Sequence, residues 1–67
     1  MSYIKRALED YLYELDKKYG FAPDTTWLVW TACGGDLEKV EELIKGDRKL
    51  FLIYAMKGQL DVALGYV

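Results

Sequence analysis

Seven apolar residues at helical spacing open the chain and set the task for the rest of it. Placed at about 100° per residue, Ile4, Ala7, Leu8, Tyr11, Leu12, Leu15 and Tyr19 fall in one stripe. Lys5, Arg6, Glu9, Asp10, Asp16 and Lys17 lie opposite, with Tyr13 among them. The pattern predicts an amphipathic helix over 3–19. Ser2 is placed to cap its start, and Glu14 stands four residues before Lys18 in the favourable order. Lys17 and Lys18 complement the negative end of the helix dipole, Gly20 supplies a left-handed residue, and Phe21 comes next to fold back on the last turn. A stripe of this kind needs a cover, so the remaining residues must bring apolar faces of their own.

They do so in short segments. Pro23 holds Ala22 extended, and Asp24, Thr25 or Thr26 can cap a helix that begins after it. The run Trp27–Cys33 suits a helix or a strand, because β-branched and aromatic residues favour both in the right setting. Gly34 and Gly35 break the chain, and Asp36 is a good cap for a helix over 37–45. In that helix Leu37, Val40, Leu43 and Ile44 share one face, with Glu38, Glu41 and Glu42 on the other. Gly46 ends it and Asp47 caps the next segment. Leu50–Met56 is apolar all round, which predicts a buried helix or strand. Gly58 reads as another break, followed by a last apolar segment over 60–67.

Sliding the chain by 23 residues aligns 27–44 with 50–67, and Ala32, Gly35 and Leu37 then meet Ala55, Gly58 and Leu60. Helix, glycine turn, helix explains both copies better than four strands, because 37–45 has helical spacing. Residues 26–44, from Thr26 through Ala32, Gly35, Leu37 and Val40 to Leu43-Ile44, resemble the helix pair of an ankyrin repeat. The resemblance implies two stacked helical hairpins with the first helix packed across them. Trp27 stands where that family places proline, and a spacing of 23 residues leaves no room for the family's β-hairpin finger. The expected fold is a single all-α domain over 1–67 with four or five short helices.

Composition narrows the function. The chain has 67 residues, of which 52% are apolar, so it is neither a disordered tail nor a solvating linker. Without histidine and with one cysteine, it offers no His/Cys metal site, no histidine acid–base pair and no intrachain disulfide. Cys33, the one candidate nucleophile, sits near a helix C-terminus, where the dipole disfavours the thiolate. Gly34-Gly35-Asp36 lacks the Lys-Ser/Thr of a phosphate-binding loop. A net charge of −2, with five acids and two bases in 21–46, disfavours nucleic acid. The longest apolar run, Leu50–Met56, is far below the roughly 20 residues that span a bilayer.

These exclusions leave binding. We expect a non-enzymatic cytoplasmic protein, without cofactor or metal, that docks on a partner protein and inhibits or tunes it. Its size and acidity match small viral or mobile-element antagonists of host machinery, anti-CRISPR proteins among them. The expected contact surface combines Glu38, Glu41 and Glu42, which would steer a basic partner, with Tyr66 and Val67 at the apolar end and the off-stripe Tyr13. The rival expectation is a structural homo-oligomer assembled through the same apolar end.

Overall fold

The computed structural model describes residues 3–65, with side chains from Arg6 onward. Four helices succeed one another: α1 (Tyr3–Tyr19), α2 (Thr25–Ala32), α3 (Leu37–Gly46) and α4 (Arg48–Ala63). The fold is all-α, as the spacing predicts. The predicted Ser2 cap lies outside the described residues.

The glycine breaks and the starts of α3 and α4 have their expected chemistry. Gly20, with φ +78°, lets the Phe21 N–H reach back to the Asp16 carbonyl at 2.8 Å and close α1. Gly34 does the same for α2, where the Gly35 N–H donates to the Trp30 carbonyl at 2.9 Å. Asp36 and Asp47 cap α3 and α4, accepting from the N–H groups of Lys39 at 3.2 Å and Leu50 at 3.0 Å. Trp27–Cys33 resolves as helix, ending at Ala32.

α2 and α4 form the main packing layer, with α1 laid against α2 and α3 against both. Leu12 and Leu15 of α1 meet Val29 of α2, Val40, Leu43 and Ile44 of α3, and Phe51 and Ala55 of α4 in one core. The Phe21 ring packs against this core and stacks on Phe51 at 4.9 Å, and the Arg48 guanidinium lies over both Tyr19 and Phe21.

Three expectations are corrected. First, Gly58 does not break the chain: α4 runs through it, so the second copy of the repeat is one helix and not a hairpin. An added Cβ at Gly58 would stand 2.8 Å from the Leu28 carbonyl carbon and closer still to its oxygen. Glycine is there because the α2 backbone passes against it.

Second, Leu50–Met56 is buried on one side only. Phe51 and Ala55 are buried with Gly58, while Leu52, Ile53 and Met56 face outward. Third, α1 is turned relative to its predicted stripe. Leu8, Leu12, Leu15, Asp16 and Tyr19 face inward, whereas Ala7 and Tyr11 are exposed. On a helical wheel this moves the buried arc by roughly 60°. Its cause is Asp16, which is 1% exposed although the sequence pattern puts it on the solvent side. Glu14 also pairs with Lys17, at 3.5 Å, and not with Lys18; both side chains are exposed, so the pair adds little stability.

Candidate functional site

Two surfaces stand out among the described residues. Ile53, Met56, Leu60 and Leu64 succeed one another at intervals of three, four and four along α4 and its C-cap. They share an arc of roughly 80° on the wheel, opposite Phe51, Ala55 and Gly58. All four are exposed, Met56 the most at 69%. Single exposed apolar residues need no explanation, but a contiguous stripe does. Lys57, tied to Asp61 at 2.8 Å, borders it.

The other surface is an open groove of about 460 Å³ between α1 and the start of α2. Glu9, Asp10, Asp16 and Asp24 line it together with Tyr13 and Trp27. Asp16 is built into its wall. One of its carboxylate oxygens, Oδ1, accepts from the Thr26 N–H at 2.8 Å and from the Thr26 hydroxyl at 2.6 Å. The start of α2 is therefore capped from another helix. The local candidate, Asp24, occupies the N-cap position but makes no side-chain cap, and its backbone is left-handed at φ 73°. Thr25 and Thr26 do not cap α2 in the expected way either; the Thr25 hydroxyl donates to the Ala22 carbonyl at 2.7 Å.

A left-handed conformation strains an L-residue, though Asp tolerates it better than most. Asp24→Gly should therefore stabilise the fold by about 0.5 kcal/mol, seen as a higher melting temperature. A lower melting temperature would show that the Asp24 side chain stabilises the fold by more than its backbone strain costs.

The predicted acidic face is only partly assembled. Glu38 and Glu42 are exposed one turn apart on α3, but Glu41 is half-buried and accepts a hydrogen bond from the Tyr11 hydroxyl of α1. That bond and partial burial hold the Tyr11 phenol above its ordinary value. A raised phenol pKa stabilises the fold below the ordinary value near 10, and that contribution is lost as pH rises through the raised one. Wild type should therefore lose more stability than Tyr11→Phe between about pH 8 and about pH 11, measured by denaturant melts. Equal losses would mean that the hydroxyl does not couple α1 to α3.

Of the remaining expected residues, Tyr13 is exposed, lines the groove and carries the Lys17 ammonium 5.3 Å from its ring centre. Tyr66 and Val67 lie outside the described residues. Cys33 stands after α2 as its C-cap, and burial pushes its thiol above the ordinary value, away from the reactive thiolate. Among the described residues, no group of three or more His, Cys, Asp or Glu side chains is placed to hold a metal ion, and no helix is long and apolar enough to cross a membrane. Compared with protein-family models, curated proteins and solved structures, the chain matches none.

Proposed function

We propose that the chain is a non-enzymatic protein-binding module that docks through the outer face of α4 and modulates the partner it covers. The observation that carries this reading is the stripe Ile53, Met56, Leu60 and Leu64, left uncovered along the outer face of α4 and its C-cap. Fully burying an aliphatic side chain contributes about 1.5–3 kcal/mol, so a few such anchors suffice for a specific contact. Glu38 and Glu42 on α3 add negative charge that would draw a basic partner surface and raise the association rate more than the affinity. A role against host machinery, on the pattern of viral inhibitors, agrees with the small size and acidity of the chain and with a cytoplasmic setting.

Self-assembly is the second reading, and the spacing of the stripe favours it specifically. Ile53 and Leu60 stand three and four residues either side of Met56. A second copy of α4 laid antiparallel would set Ile53 against Leu60 and Met56 near its own counterpart.

Ile53→Glu combined with Leu60→Glu tests both readings. Both positions are exposed, so folding stability should stay within about 0.5 kcal/mol per site. Association, with a captured partner or in a light-scattering mass, should weaken by more than about tenfold. Unchanged association would remove the α4 face from consideration.

A further inference from the structure

We infer that the groove between α1 and α2 is a receptor for a cationic side chain, an arginine guanidinium by preference, presented by the protein that this chain binds. The inference rests on the protein-binding reading above but concerns a different surface. Thr26 occupies only Oδ1 of Asp16. The other oxygen, Oδ2, is buried and has no hydrogen-bond partner within the chain, on a residue that forms part of the groove wall. A buried carboxylate oxygen without a donor is costly, and native folds supply one from the chain, a water or a ligand.

The surroundings specify what kind of donor fits. Asp10 and Asp24 line the same groove, and among the described residues neither they nor Asp16 enters an ion pair. Tyr13 and Trp27 add aromatic surface, which attracts cations through the ring quadrupole. The Lys17 ammonium, which lies over the Tyr13 ring, is engaged there and at Glu14. Carboxylates with aromatic walls favour a guanidinium over an ammonium. Its planar fork presents five donors that several carboxylates can share, and its face stacks on indole. A divalent metal is a poorer match, because the described carboxylates do not converge on a single point.

The test uses the full chain and needs no identified partner, so its failure is separable from failure of the α4 reading. A blocked Gly-Arg-Gly tripeptide is titrated into ¹⁵N-labelled protein while the Thr26 amide and the Trp27 indole N–H are monitored. The first reports on Asp16 through its hydrogen bond, the second on the groove wall. Saturable shifts at both, with a Kd on the order of 1 mM, are expected for so small a ligand. The citrulline tripeptide, of the same shape without the charge, should produce none. Asp24→Asn keeps a side chain that tolerates the left-handed backbone and should weaken binding by about three- to tenfold; Asp61→Asn on α4 should not. Equal responses to arginine and citrulline, or shifts that never saturate, would overturn the inference. So would tighter saturation of the same signals by spermidine or by calcium, which would make the groove a small-amine or a metal site.

Discussion

Gly58→Ala should lower stability by about 2 kcal/mol, although alanine in place of glycine raises helix stability by about 1 kcal/mol in an open setting. The sign is set by the atoms that the new methyl meets. Its nearest neighbours are the carbonyl carbon of Leu28 at 2.8 Å and the Leu28 Cα at 3.1 Å, with the carbonyl oxygen nearer still. These are backbone atoms inside α2, so no rotamer change relieves the contact and the two helices must separate. Separation loosens Val29, Phe51 and Ala55, the core residues that α2 and α4 contribute. In a domain of this size the melting temperature should fall by roughly 8–16 °C. Gly46 supplies the control. It is the last residue of α3, and an added Cβ there meets nothing within 4 Å. Gly46→Ala should stabilise by about 0.5 kcal/mol. If the two substitutions shift the melting temperature in the same direction, the α2–α4 approach is not as close as the Leu28 contact implies.

The same glycine shows how far the sequence could be read. Hydropathy patterning points to α1 and α3, because each has one apolar face and a polar remainder, and Gly20 and Asp36 mark the end of one and the start of the other. α4 has no such contrast: Phe51 and Ala55 on one side are matched by Ile53, Met56 and Leu60 on the other, so hydropathy alone cannot say which face is buried. The repeat alignment then misled, because it equated Gly58 with Gly35. Gly35 is a left-handed turn residue at φ +87°, whereas Gly58 has ordinary helical geometry and serves by lacking a side chain. The usable signal was the run Phe51, Ala55, Gly58 at intervals of four and three, with two small residues where a neighbouring backbone can approach.

The groove was hidden for a related reason. A carboxylate counts as polar in any amphipathic pattern, but Asp16 follows Leu12 by four residues and precedes Tyr19 by three. It sits within the buried arc because its partners are donors on the next helix, which no local pattern records. Tyr13, picked out only as an aromatic off the stripe, lines the wall beside it.

Asp16→Ala should cost about 2–4 kcal/mol, the other large effect expected in this fold. Truncation removes the cap of α2 and strands two donors of a residue that is fully buried, the Thr26 N–H and the Thr26 hydroxyl. The two can be told apart. Thr26→Ala deletes the hydroxyl and its bond but leaves the backbone N–H bonded to Asp16, so it should cost less, about 1–2 kcal/mol. In that background Asp16→Ala strands one donor and not two. The double variant should therefore be more stable than the sum of the singles predicts, by about 1 kcal/mol. It should still fall well short of wild type, because no side-chain substitution removes the Thr26 N–H, and a buried N–H left without an acceptor costs about 1–3 kcal/mol. Strict additivity in denaturant melts would mean that Asp16 and Thr26 act separately. The helix start would then owe its stability to something other than a carboxylate reaching across from α1.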